Sequence, residues 1–183
     1  MGGRQSNTWT SFGGIPVTDR KKAYWDACAW LGLLNGEEDK ARELEVVWEK
    51  AKHGEVEIWT SAFCIAEVYK VKCEDGKTGL APENDDKINQ LFDQDFVFIT
   101  QVDLATARLA KTLLRTHKKL KKPSDAIHLA TAVHWNVDQL HTWDSCDLLG
   151  IVCNRADGIP LEICKPSMVD GENLFNREGG DPA

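Results

Sequence analysis

The sequence has no excess of positive charge and no long apolar run, and each absence excludes a class of protein. Its 22 lysines and arginines are outnumbered by 29 aspartates and glutamates, which gives a formal net charge of −7. The chain is therefore not coated with cations for sequence-independent binding to nucleic acid. Its apolar stretches are too short to cross a bilayer, and residues 1–20 lack the apolar segment of a secretory signal. We expect a cytoplasmic protein without membrane contact.

The sequence also lacks the cysteine spacing of zinc sites and the glycine-rich loops of phosphate sites. No two of the six cysteines form a Cys-x-x-Cys pair, and no histidine lies at zinc-finger spacing from them. Reduced thiols, several of them in the core, are the expected state. A phosphatase or phosphate-binding protein would need a glycine-rich loop or an Asp-x-Asp pair at the first strand, and the chain has neither. The cysteines are Cys28, Cys64, Cys73, Cys146, Cys153 and Cys164.

The remaining sequence is typical of one α/β domain. With 183 residues, the chain can bury a substantial core. We predict a flexible extension over residues 1–20, a domain over 21–165 and a polar tail over 166–183. Five short strands (23–27, 55–59, 96–100, 137–142 and 161–164) are expected among helices over 30–36, 37–53, 62–72, 85–92, 103–120 and 123–135, with Thr60 or Ser61 as the cap of the third helix. This alternation predicts a largely parallel sheet with helices on both faces, and ligands bind such sheets beyond the carboxyl ends of the strands.

Acidic residues follow or interrupt the apolar segments at five places. A carboxylate on an apolar element is costly unless something pairs with it. A shared divalent cation would explain all five residues at once, and a carboxylate-bound Mg²⁺ or Mn²⁺ is suited to hydrolysing phosphodiesters. Without metal, such carboxylates should have raised pKa values. The five residues are Asp26, Glu67, Asp125, Asp144 and Asp147.

Local structure offers an alternative explanation for most of these acids. Asp26, and either Asp144 or Asp147, would serve as helix N-caps, and Asp125 would gain from the dipole of the helix that Pro123 opens. Glu67 is the least ordinary, because its helical neighbours are apolar, although an ion pair with a nearby lysine would also satisfy it.

Four segments around these acids resemble the PIN-domain nucleases, and most closely the VapC-type toxins of toxin–antitoxin pairs. They are YWDACAWLGLL, TSAFCIAEVYK, KKPSDAIHLATA and LHTWDSCDLLG, and their order and spacing match over about residues 23–165. The resemblance implies a three-layer α/β/α sandwich around a mostly parallel sheet. It also implies that Asp26, Glu67, Asp125 and Asp144 form a Mg²⁺- or Mn²⁺-dependent ribonuclease site.

The resemblance assigns supporting roles to residues beside these four acids. Asp147 matches a position that is often acidic, so we expect it to contribute to the metal site directly or through water. Thr142 matches a hydroxyl near the metal, and we expect Ser124 also to support the ligands. His128 lies one helical turn beyond Asp125 and should be packed there without acting as a ligand. Departures from the family are a long N-terminal extension, a long loop over residues 74–84 and an extended tail.

The expected reaction is metal-assisted hydrolysis of RNA, and it needs no amino-acid nucleophile. A local basic run precedes Asp125 and could guide the RNA backbone to the site, although it could equally be a solvated helix end. We assign RNA binding to Arg115, Lys118, Lys119, Lys121 and Lys122, with Lys111 and His117 in the same run. Trp25 and Trp143, beside expected ligands, are either core residues or platforms for base stacking.

Three functions are compatible with this pattern. The first is an endoribonuclease toxin of a type II pair, with an antitoxin partner and a homodimeric state as the resemblance implies. The second is an RNA-processing PIN nuclease without an antitoxin. The third is a catalytically inactive RNA-binding module, which the presence of all four core acids disfavours.

Overall fold

A five-stranded parallel sheet forms the centre of the molecule. The computed structural model describes residues 20–167. The strands are β1 (Lys21–Trp25), β2 (Val56–Ser61), β3 (Val97–Thr100), β4 (Gln139–His141) and β5 (Glu162–Cys164). Their order is β3-β2-β1-β4-β5, and all four pairings are parallel. The carboxyl ends of the strands therefore lie at one edge of the sheet.

Six α-helices cover the two faces of this sheet. They are α1 (Ala27–Leu34), α2 (Ala41–Lys52), α3 (Ala62–Glu67), α4 (Pro82–Phe92), α5 (Leu104–Thr116) and α6 (Pro123–His134). The sheet separates two hydrophobic cores. Consecutive residues of β1 pack into opposite cores, because side chains alternate across a strand. Tyr24 packs with α5 and α6, whereas Trp25 packs with α1 to α4. The predicted three-layer α/β/α sandwich is confirmed.

Helix α3 is shorter than the sequence predicted. Ser61 caps it as expected, since the Ser61 Oγ accepts a hydrogen bond from the backbone N–H of Cys64. The helix ends at Glu67, although the apolar pattern predicted a helix to about residue 72. The β-branched Val68 and Val71 both pack into the core from non-helical backbone, so tertiary packing prevails over helical periodicity. Glu67 is consequently the last residue of α3.

One prediction of burial was wrong. The spacing of apolar residues in α5 predicts that Leu104 and Ala107 face inward with Ala110 and Leu113, but Leu104 and Ala107 are exposed, and Ala110 and Leu113 are buried. Strand β3 is apolar, as predicted, but it is an edge strand with Phe98 and Ile99 exposed. An apolar run alone does not distinguish a central strand from an edge strand.

The six cysteines are all free, as predicted. Only Cys64 is buried, however, and Cys28, Cys73 and Cys146 are exposed. None of the described helices has the length and apolar character needed to cross a membrane. The predicted N-terminal extension and C-terminal tail lie outside the described residues, apart from residues 20, 166 and 167.

Candidate metal centre

Three carboxylates meet near the carboxyl edge of the sheet. Asp125, Asp144 and Asp147 each place an oxygen within 4.8 Å of the other two. Asp125 lies in the first turn of α6, which Pro123 opens, and the other two follow β4. The rule that ligands bind beyond the carboxyl ends of parallel strands is consistent with this position. We call these residues the three-carboxylate cluster.

A tight turn fixes the half of the cluster that follows β4. The Asp144 Oδ1 accepts hydrogen bonds from the backbone N–H groups of Cys146 and Asp147, both at 2.8 Å. The buried Thr142 hydroxyl accepts the backbone N–H of Asp144 at 3.0 Å. Thr142 thus orients the turn that carries two of the acids. Ser124, the other expected supporting residue, lies 3.5 Å from the Asp125 Oδ1.

The cluster has unused binding capacity. Among the described residues, the Oδ2 atoms of Asp125 and Asp147 are buried and have no hydrogen-bond partner. Buried carboxylate oxygens without donors are costly, and hard divalent cations such as Mg²⁺ prefer oxygen ligands of this type. The donor set of Asp125, Asp144 and Asp147 therefore fits a divalent metal.

One ammonium group contacts all three members of the cluster. The Lys122 Nζ lies 3.1 Å from Asp144, 3.4 Å from Asp125 and 3.5 Å from Asp147. The three-residue separation of Lys122 and Asp125 permits their contact within the first turn of α6, but only the fold brings the other two acids to the same lysine. Lys122 was predicted to bind RNA; the structure shows that it also offsets the charge of the cluster.

Burial and mutual repulsion act unequally on the acids. Burial raises the pKa of Asp125 to about 6, the neighbouring Asp147 carboxyl reinforces this shift, and Lys122 opposes it. Burial also raises the pKa of Asp26, against a hydrogen bond from Thr142. The pKa of Asp144 is lowered despite partial burial, because two backbone N–H groups and Lys122 stabilise its anion. The expectation of raised values throughout was therefore wrong for Asp144.

Asp26 and Glu67 fall outside the three-carboxylate cluster. Asp26 is 3% exposed at the end of β1, and its Oδ1 accepts the backbone N–H of Ala29 at 2.9 Å. It therefore caps α1, as the local alternative predicted. Glu67 is partly exposed, and its Oε2 lies 2.6 Å from the Nε2 of the buried His128. His128 connects Glu67 to α6, one turn from Asp125.

The basic run surrounds the loop from α5 to α6. Arg115 lies in the last turn of α5, and Lys118 and Lys121 are exposed beyond it. The Lys119 ammonium donates to the carbonyl of Leu149, so it is committed to structure near the cluster. The run leads to Asp125 in space as well as in sequence.

The two tryptophans beside expected ligands differ in exposure. Trp25 is fully buried and packs on the rings of Trp30 and Trp48, which excludes it as a stacking platform in this structure. Trp143 is partly buried against the same core, and the Lys40 ammonium lies 5.7 Å from its ring centroid.

A sequence model of the PIN domain matches residues 23–145, about two thirds of the chain. The chain belongs to the PIN-domain family. The matched region contains Asp26, Glu67, Asp125 and Asp144, the four acids that the resemblance selected, and ends two residues before Asp147. No curated protein matches the sequence.

Two solved structures share the PIN fold of this chain. VapC20 of Mycobacterium tuberculosis, described as a toxin that cleaves the sarcin–ricin loop, matches with a TM-score of 0.53 and 14% identity. The match covers 67% of this chain and 90% of VapC20. VapBC2 of Rickettsia felis, bound to a promoter DNA fragment, matches with a TM-score of 0.52 and 14% identity over 78% of this chain and 98% of its own. At this identity the two structures support the fold alone.

Proposed function

We propose that this PIN protein is a Mg²⁺- or Mn²⁺-dependent endoribonuclease and the toxin of a type II toxin–antitoxin pair. The observation that carries the proposal is the three-carboxylate cluster, in which the buried Oδ2 atoms of Asp125 and Asp147 make no hydrogen bond and face the Lys122 ammonium at 3.4 and 3.5 Å. Family membership adds support, since the PIN domain is a nuclease family and the match includes most of the acids. We propose the cytoplasm as its location.

The residues of the site would have distinct roles in binding metal and RNA. Asp125, Asp144 and Asp147 would hold the metal, with Asp26 and Glu67 acting beside them. When bound, the metal would supply water activation and charge stabilisation at the scissile phosphate. Thr142 and the backbone N–H groups of the β4 turn keep Asp144 ionised and oriented. Lys118 and Lys121 would contact phosphates of the RNA backbone, because they are exposed in the same basic run as Lys122, which contacts the cluster.

The decisive experiment incubates the purified protein with a panel of structured and single-stranded RNAs. We expect cleavage with Mg²⁺ or Mn²⁺ and none with EDTA. Asp125→Asn and Asp144→Asn should remove cleavage, whereas the exposed Asp86→Asn on α4 serves as a matched control. Failure of every RNA to be cleaved with either metal would refute the nuclease proposal and favour an inactive RNA-binding module.

The toxin assignment and the partners need separate tests. The resemblance to VapC-type toxins and the fold shared with VapBC2 support the search for an antitoxin here. We expect a small gene beside this one whose product binds the protein and blocks cleavage. A nuclease without such a partner would be an RNA-processing enzyme. We also propose a homodimer, which light scattering on the purified protein would detect.

If the basic run binds RNA, its removal should change the salt dependence of RNA affinity. Replacing Lys118, Lys119, Lys121 and Lys122 together by glutamine should weaken RNA binding and flatten the dependence of log K on log salt by roughly one unit per lost phosphate contact. The measurement uses Asp125→Asn protein in both arms, so that RNA stays intact. An unchanged slope would count against RNA binding by these lysines.

A further inference from the structure

A chain of buried hydrogen bonds ends on Glu67. The Ser61 Oγ lies 3.1 Å from the Tyr24 hydroxyl, which lies 2.9 Å from the Nδ1 of His128. The His128 Nε2 lies 2.6 Å from the Glu67 Oε2. Ser61 and Tyr24 are almost completely buried, and His128 is 2% exposed. Polar side chains buried to this degree cost stability unless they are paired, so the chain has a specific arrangement of hydrogens.

Every link belongs to an element that carries or directly precedes one of the acids. Tyr24 precedes Asp26 by two residues on β1. His128 follows Asp125 by one turn on α6. Ser61 caps α3, whose last residue is Glu67. The chain therefore fixes Glu67 relative to the two elements that present Asp26 and Asp125.

Counting hydrogens selects one direction for the chain. Ser61 accepts the backbone N–H of Cys64, and its Oγ lies 3.1 Å from the Tyr24 hydroxyl, a contact in which either hydroxyl can donate. If Tyr24 donates to Ser61, its hydrogen is not available to His128, so the direction that leads to Glu67 has Ser61 donating to the Tyr24 oxygen. Tyr24 then donates to the His128 Nδ1, and the Nε2–H donates to Glu67. In this arrangement each contact contains one hydrogen, and the imidazole needs only one N–H. In the opposite direction, Nδ1 carries the hydrogen, so the short contact between Nε2 and the carboxylate requires an additional proton on a buried group.

The carboxylate of Glu67 has one oxygen committed to this chain and one free. Its side chain is 27% exposed and borders an open groove of about 260 Å³ with Leu31, Asn35 and Tyr69. Among the contacts of the described residues, no hydrogen bond is made to the Glu67 Oε1. Holding Oε2 leaves Oε1 as the oxygen that can act in the reaction.

We propose that Tyr24 and His128 are positioning residues, which hold the Glu67 carboxylate in its working orientation through a Tyr24-to-His128-to-Glu67 hydrogen-bond relay. The role of Glu67 in the reaction rests on the proposed nuclease function. The direction of the relay is independent of that function, because it can be measured on the protein without RNA or metal.

The first test determines the tautomer of His128 by ¹⁵N NMR on the full chain with labelled histidine, at a fixed neutral pH. We expect a proton on Nε2 and none on Nδ1, in a resonance that disappears in His128→Asn. In Tyr24→Phe the Nδ1 resonance should shift, because it loses its donor. A proton on Nδ1, alone or in an imidazolium, would overturn the relay whatever the protein cleaves.

The second test measures kcat for RNA cleavage in a double-mutant cycle. His128→Asn should lower kcat by roughly 10- to 100-fold with KM little changed, as expected for a group behind a catalytic carboxylate. His128→Gln, whose amide can reach Glu67 in place of Nε2, should recover part of the loss. In a Glu67→Gln background, His128→Asn and Tyr24→Phe should have almost no further effect, because they act through Glu67.

His134→Asn, in the last turn of the same helix, is the control and should leave kcat unchanged. If the decreases in kcat multiply with the decrease caused by Glu67→Gln, Tyr24 and His128 act independently of Glu67. That result would show that they only support the fold, and it would refute the proposal. If wild-type protein cleaves no RNA, the proposed function fails, and the NMR measurement still decides the relay.

Discussion

The three-carboxylate cluster and the two remaining acids are held by different kinds of contact. In the cluster, three like charges share the ammonium of Lys122, which lies 3.4 and 3.5 Å from the buried Oδ2 atoms of Asp125 and Asp147 without a hydrogen bond to either. Asp26 and Glu67 are instead fixed by a backbone N–H and by an imidazole. The Oδ2 atoms of the cluster face a charge that a metal can replace, although two backbone N–H groups also hold the Asp144 Oδ1. Asp26 and Glu67 are satisfied by hydrogen bonds that a metal does not need to disturb. The cluster is thus arranged for ligand exchange and the other two acids for fixed geometry.

The largest expected effect is the loss of metal binding, which should distinguish the three-carboxylate cluster from Asp26 and Glu67. Asp125→Asn should lower cleavage on the order of 10²- to 10³-fold, because it removes a ligand of the metal that stabilises the transition state. Calorimetric titration with Mn²⁺ should show binding lost in Asp125→Asn and retained, though weakened, in Glu67→Gln. Equal loss of Mn²⁺ binding in both variants would remove the distinction between the groups. Circular dichroism should show both variants folded.

A second prediction concerns the pH dependence of stability without metal. The pKa of Asp125 is raised from its usual 3.8 to about 6, so the folded state binds more protons than the unfolded state between these values. This contribution to the free energy of unfolding is fully present below about pH 4 and is lost as pH rises to about 6, by roughly 1 to 2 kcal/mol after solvent screening.

Urea unfolding at several pH values, with EDTA present, measures this slope. Asp125→Asn should lack the decrease between about pH 4 and pH 6. Asp144, whose pKa is lowered, contributes in the opposite sense at lower pH, where its protonation destabilises the fold. A variant with the same slope as the wild type would show that Asp125 is not the titrating group.

A third and smaller effect tests whether a bound metal takes the place of the Lys122 ammonium. Lys122→Met should raise the affinity for Mn²⁺ by about fivefold, since a partly exposed ion pair of roughly 1 kcal/mol no longer competes. The metal-free protein should unfold at a lower temperature, because the three carboxylates then repel one another. Lys121→Met is the matched control, exposed and adjacent in sequence. Unchanged Mn²⁺ affinity in Lys122→Met would show that the ammonium does not occupy the metal's place.

The smallest effect concerns Asp26 as a helix cap. Asp26→Asn preserves the acceptor for the Ala29 N–H and should change the free energy of unfolding little, while removing the negative charge that the proposed reaction uses. Asp26→Ala should cost about 0.5 to 1 kcal/mol more. Cleavage lost in both variants with stability lost only in the second would separate the two roles. Full cleavage by Asp26→Asn would exclude Asp26 from the reaction.

The sequence predicts the cluster better than it predicts the contacts of Glu67. Asp144 follows β4, and Asp125 lies at the start of the helix that leads into β4, so both belong at the carboxyl edge of a parallel sheet by a topological rule. The contact between Glu67 and His128 joins residues 61 positions apart, and no local periodicity encodes it. The apolar neighbours of Glu67 predicted a longer helix, but its true environment is the end of α3, where core packing of Val68 stops the helix. The contacts of Lys122 are partly predictable. Its three-residue spacing from Asp125 can be seen in the sequence, whereas its contact with Asp144 depends on the fold.

The position of Trp143 has a practical consequence for these experiments. Its indole directly precedes Asp144, packs against the core and faces the Lys40 ammonium at 5.7 Å. Indole emission responds to nearby charge, so an ion that engages Asp144 should change the fluorescence of the native chain. The fold therefore provides an intrinsic optical reporter of the site, and Trp143→Phe should remove the metal-dependent change while the other six tryptophans remain.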